Sequence, residues 1–140
     1  KSIKTVFLEE VIKNPRLLSS LLRKEISDSL EKPFLNLPLN LARKISGFTN
    51  QAEKESLRLN LEYLTNLIEK DNFLIGQKLS VADISVASQL SLLNFPNSSG
   101  ENLRGKGCSI YMNDPILKNL FQWRDSIEYK LRTTNHYESY

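Results

Sequence analysis

The chain has one cysteine, Cys108, and one histidine, His136, in 140 residues. An internal disulfide needs two thiols and a structural zinc site needs four Cys or His ligands, so neither staple is available. Stability has to come from burial. A chain of this length can bury roughly two thirds of the surface that its unfolded form exposes, and it fits one domain of about 100–200 residues. Long apolar runs are missing as well. The longest uncharged stretch, 84–100, contains Pro96 and many Ser and Asn, so it does not read as a bilayer span. Lys1 to Leu8 alternate charge with apolar groups and lack the continuous apolar run of a signal peptide. With a lone thiol and no export signal, the expected compartment is the reducing cytoplasm, where the Asn97-Ser98-Ser99 sequon is a chance match. A start at Lys rather than Met suggests a piece of something longer. Neither sign of charge dominates either: 19 basic against 16 acidic residues leave a net charge of +3.

What is present is ordinary for a globular chain, 40% hydrophobic and 25% charged, and its periodicity is helical. Ile3, Phe7 and Val11 recur every fourth residue. Asn14-Pro15 then supplies a cap and a first helical residue for a second helix with Leu18, Leu22, Ile26 and Leu30 along one stripe and Leu17 and Leu21 beside it. Pro33 ends it. Leu35, Leu37, Leu39 and Leu41 alternate as in a strand, but Pro38 would remove a ladder donor, so an irregular connection and a short helix to about Ile45 are expected, closed by Gly47. A helix of roughly twenty residues follows, capped by Thr49 or Asn50, with Glu53 and Glu55 at its positive end and Leu57, Leu61, Leu64 and Ile68 as its seam. Leu59, Tyr63 and Leu67 are expected to extend the buried side.

Phe73-Leu74-Ile75 reads as an apolar plug before Gly76. Ser80 and Asp83 then stand where a capping box needs them: the hydroxyl accepts the backbone N–H three residues on, and the carboxylate reaches back to Ser80 N–H. Leu79 and Ile84 occupy the two positions of a hydrophobic staple across the same turn. The helix so started, Val81 to about Asn94, carries no charge after Asp83 and mixes Ala and Ser with Val and Leu. A helix with no charged face is expected to be enclosed on nearly all sides, which makes it the axis of the core. Phe95 to Asn113 reads as a long loop. Asp114-Pro115 repeats the cap-plus-proline start for a last helix with Ile116, Leu120, Trp123, Ile127 and Leu131 inward, and with Arg124/Glu128 and Glu128/Arg132 pairs on its wet side. The expected fold is one all-α domain over residues 1–140.

Catalytic chemistry is hard to assemble from these residue types. Gly100-Glu101-Asn102-Leu103-Arg104-Gly105-Lys106-Gly107 approaches a phosphate-binding loop, but Gly107 stands where a Ser or Thr would hold magnesium, and no strand precedes. Lys106 beside Cys108 could lower the thiol pKa, though the plain reading is an inert cysteine. His136 sits in a polar tail. Arg23-Lys24 and Arg43-Lys44 are isolated pairs without interleaved aromatics, so no nucleic-acid surface is expected. The late tyrosines Tyr111, Tyr129, Tyr137 and Tyr140 suit a pocket edge or ordinary packing equally.

Leu61-Glu62-Tyr63-Leu64, Phe73-Leu74-Ile75-Gly76 and Leu79-Ser80-Val81-Ala82-Asp83-Ile84 together closely resemble the C-terminal helical domain of glutathione transferases. In that family a Leu-Glu helix leads to a Phe-Leu-x-Gly plug, and a Ser/Thr-x-x-Asp cap opens the buried central helix. Asp114-Pro115 through Trp123-Arg124 is similar to the family's late helix. The resemblance implies a helical bundle with a buried central helix and a homodimeric parent. That parent would carry a separate thioredoxin-like N-terminal domain that binds glutathione and supplies the catalytic Tyr, Ser or Cys. The present chain would then bind no cofactor itself and hold no catalytic residue, and it would shape one wall of the electrophile pocket. Related helical domains also serve as interaction modules in translation factors and aminoacyl-tRNA synthetase complexes, which leaves a non-catalytic reading open beside the enzymatic one.

Overall fold

Among the described residues, helices form where apolar period and capping residues agree, and no strand is present. The computed structural model describes residues 3–21 and 51–135. Expectations for the helix beyond Leu21, for Pro33 to Gly47, for the Thr49 or Asn50 cap and for the tail with His136 lie outside the described residues.

Helix α1 (Ile3–Lys13) buries Ile3, Val6, Glu9 and Val11, and its Phe7 ring meets Phe95 edge-on with centroids 5.8 Å apart. Asn14 divides it from α2 (Pro15–Leu21): its Oδ1 accepts from Leu17 N at 3.2 Å, and Pro15 opens the helix without wasting a donor. Leu17, expected beside the stripe, is the fully buried leucine of α2, and Leu18 and Leu21 are half-buried.

Helix α3 (Gln51–Asp71) buries Leu57, Leu61, Thr65 and Ile68, with Leu64 packed partly against them. Of the expected second buried edge only Leu67 is half-buried, while Leu59 is 56% and Tyr63 68% exposed. Two residues correspond to about 200° of helix rotation, so each lies across the helix from the buried positions flanking it. Asn72 ends the helix with a left-handed φ of 59°, a conformation Asn tolerates better than most residues. In the plug that follows, Phe73 and Leu74 pack against the core, whereas Ile75 turns outward.

Helix α4 (Val81–Leu93) packs chiefly against the last helix, α6 (Lys118–Asn135), and against α1, and also touches the short α5 (Ser109–Met112). Asp83, Ala87, Leu90 and Leu93 form its buried stripe. The enclosure expected for this helix is one-sided. Val81, Ser85 and Ser88 are exposed along one flank; serine hydroxyls face water without needing a charge, so an uncharged sequence does not require burial all round.

The last helix also departs from its expected register. Pro115–Leu117 forms a 3₁₀ turn, in which Asp114 Oδ1 accepts from Ile116 N at 3.0 Å. A 3₁₀ turn advances faster per residue than an α-helix, so Leu117 enters the core and Ile116 is 42% exposed. From Leu120 the stripe runs through Phe121, Trp123, Arg124 and Ile127. Arg124, expected on the wet side paired with Glu128, is 1% exposed and donates instead to Asp125 Oδ1 and to the Asn94 carbonyl at the end of α4. Glu128 accepts from Ser91 and Ser98. Trp123 Nε1 donates to Asn72 O at 2.7 Å, which joins α6 to the end of α3.

Candidate functional site

The residues singled out in the sequence come together most tightly at the start of α4. Ser80 has extended backbone angles and its Oγ accepts from Asp83 N, while Asp83 Oδ2 accepts from Ser80 N at 2.8 Å and from Ser80 Oγ at 2.5 Å. Asp83 Oδ1 reaches beyond the box and accepts from Leu74 N at 2.7 Å, so one carboxylate holds both the cap and the plug. Leu79 packs against the core beside them, and Ile84 is half-buried. Burial of Asp83 works to raise its pKa. The hydrogen bonds from the Ser80 hydroxyl, Leu74 N, Ser80 N and its own backbone outweigh that and hold the carboxyl below its ordinary range. This arrangement stabilises a fold. It places no reactive group in the open.

Cys108 is fully buried rather than set on a surface loop beside Lys106. Its N–H donates to Leu93 O at 2.8 Å, and Lys106 Nζ turns away to Ser20 Oγ at 2.5 Å. Burial, with the charges of Glu10 and Glu9 adding to it and Lys54 opposing, pushes the thiol pKa up to about 12. The nucleophilic possibility is therefore overturned: thiolate is scarce at neutral pH where desolvation opposes it. Glu9 is itself 4% exposed. Its Oε1 pairs with Lys13 Nζ at 2.8 Å, and its Oε2 has no hydrogen-bond partner among the described residues.

The glycine-rich loop does not present its amides in the manner of its near-motif, because four consecutive ones are already bonded within the protein. Leu103 N and Arg104 N donate to Gly100 O, Gly105 N to Phe95 O, and Lys106 N to Leu103 O. The loop is tied back on α4: Phe95 N donates to Lys106 O at 2.8 Å, and Gly107 bridges Asn94. Gly107 has φ 153°, and a Cβ there would lie 2.7 Å from the Leu93 carbonyl carbon, so only glycine fits. No group of three His, Cys, Asp or Glu among the described residues could hold a metal ion. Among those residues no helix is long and apolar enough to cross a membrane.

One concavity was not legible in the sequence. A cleft of about 300 Å³ opens between the end of α4, the α5–α6 connection and the first turns of α6. Arg124, Lys118 and Gln122 line it, over Met112 and Phe121. The Arg124 side chain lies over the Phe121 ring, 5.5 Å from its centroid. Arg124 reads from sequence as half of a surface ion pair, and only the return of the α4 terminus above it makes it a buried cation.

Comparison of the chain with protein-family models, with curated proteins and with solved structures returned no match.

Proposed function

We propose that the chain is the C-terminal helical domain of a glutathione transferase-like protein. Its parent conjugates glutathione to electrophiles or uses glutathione to reduce a disulfide or peroxide. The present residues form one wall of the electrophile pocket. The parent is a cytoplasmic homodimer, and its thioredoxin-like domain contributes glutathione and the catalytic group. One observation carries the reading: the cap and the plug behind the family resemblance are tied to each other, and the late helix is tied to the residue just before the plug. Asp83 ties the Ser80 cap to the Phe73–Ile75 plug, and Trp123 of the late helix donates to Asn72 between the Leu-Glu helix and that plug.

The test is to express the complete reading frame and the 140-residue chain side by side. The complete protein is expected to be retained on immobilised glutathione and to conjugate a generic aryl halide, while the chain alone shows no turnover above a buffer blank. Turnover by the chain alone would defeat the assignment of catalysis to another domain. A reading frame that joins this chain to a synthetase or elongation-factor segment, with no thioredoxin-like stretch, would favour the interaction module instead.

A further inference from the structure

The cleft at the head of α6 has the chemistry of a small-anion site, and it is independent of the glutathione transferase reading. Arg124 is a cation with 2% of its side-chain surface exposed, held by two contacts: Nε donates to Asp125 Oδ1 at 2.8 Å and Nη1 to the Asn94 carbonyl. Those contacts use two of the five guanidinium N–H groups, so both on Nη2 and one on Nη1 stay available to the cleft that Arg124 lines. A guanidinium fixed in this way is preorganised, so a ligand does not have to freeze it. Lys118 lines the same cleft from the first turn of α6, exposed and with no ion pair among the described residues. The side-chain amides of Asn113 and Gln122 stand on the same lining.

Two carboxylates also face the cleft, and they set the charge of what can enter. Asp125 is occupied by Arg124 Nε, and Asp114 is held by Arg58 Nε at 2.8 Å and by Ile116 N. Arg58 in turn approaches Glu55 and Glu62, so it brings no spare charge to the cleft. Among the described residues, the cleft cation without an ion pair is Lys118. One negative charge is accommodated, and a dianion meets Asp114 and Asp125. Met112, Pro115 and Phe121 supply an apolar wall. A volume of about 300 Å³ is at the small end of ligand sites.

We infer that this cleft binds a small monocarboxylate, with one carboxylate oxygen on Arg124 Nη2, the other toward Lys118, and an apolar or aromatic body against Phe121 and Met112. The inference is tested by titrating the ¹⁵N-labelled 140-residue chain with benzoate, and separately with inorganic phosphate, while following backbone amide shifts. Benzoate is expected to move the amides of Asn113, Lys118, Gln122 and Asp125 saturably, with a dissociation constant on the order of 1 mM for a ligand this small. Lys118→Glu, an exposed change that leaves shifts elsewhere in place, should weaken benzoate by about tenfold or more through loss of a charge-assisted contact. Arg124→Lys keeps the charge but removes the fork, and should weaken benzoate if it folds; the Lys118 variant decides the matter if it does not. Absence of saturable shifts at those amides, equal affinity for phosphate, or undiminished benzoate binding by Lys118→Glu would each overturn the site.

Discussion

Asp83→Ala removes more than a helix cap. The carboxylate, with no exposed surface, accepts from Leu74 N, Ser80 N and Ser80 Oγ. Truncation leaves three donors without that partner. A buried donor left unsatisfied costs about 1–3 kcal/mol. Leu74 and Ser80 are half-buried, so water can reach them in part, and the lower end of that range applies to each. The sum is about 3 kcal/mol, against about 1 kcal/mol for loss of an exposed N-cap alone. In a domain of this size that corresponds to a fall in melting temperature of roughly 10 °C. Thermal and urea unfolding followed by circular dichroism would measure it, with Ser80→Ala beside it as the variant that keeps the Leu74 tie and loses about 1 kcal/mol. A loss below about 1 kcal/mol for Asp83→Ala would show that the plug is not held through this carboxylate. The pH dependence provides an independent check. Because the folded pKa lies below the ordinary 3.8, the contribution is complete above that value and disappears as pH falls through the lowered one. The wild-type chain should therefore lose stability more steeply in acid than Asp83→Ala does; equal slopes would contradict the hydrogen-bonded carboxylate.

Cys108 should resist iodoacetamide at pH 8 in the folded chain and react freely in denaturant; rapid native labelling would place the thiol at the surface. Cys108→Ser buries a more polar group at a site with no exposed surface and should cost about 1–3 kcal/mol, as unfolding curves would record. Gly107→Ala forces both an unfavourable φ and overlap with the Leu93 carbonyl, and should cost about 2 kcal/mol or more, seen as a lower urea midpoint; a neutral result would mean that the loop is not tied to α4. Trp123→Phe loses both the bond to Asn72 O and part of the indole's buried bulk, so calorimetry should find about 1 kcal/mol or more lost.

Legibility followed the range of the interaction. The Asn14, Ser80 and Asp114 caps each act over two or three residues, and the residues that make them can be read in place. The tie from Asp83 to Leu74 spans nine residues and turns on how the plug folds back, which no local pattern encodes. The spacing of Arg124 and Glu128 predicts an ion pair on the wet face, which fails because the Asn94 carbonyl at the end of α4 takes the Arg124 guanidinium. The Leu117 register depended on a 3₁₀ turn whose phase a single helical period does not carry. Leu59 and Tyr63 show the opposite error, in which an apolar residue is taken for a buried one. The cleft combines all of these, since its lining comes from α4, the α5–α6 connection and α6, and its cation was assigned to the wrong side.

Trp123 is the only tryptophan in the chain, and its indole rests against the last carbonyl of the α3 terminus. The protein thus carries a built-in optical probe at the seam where its early and late segments join. Emission on excitation at the indole band should stay blue-shifted while that seam is closed and move red when it opens, so intrinsic fluorescence can time the joining of the two segments during refolding without any added label.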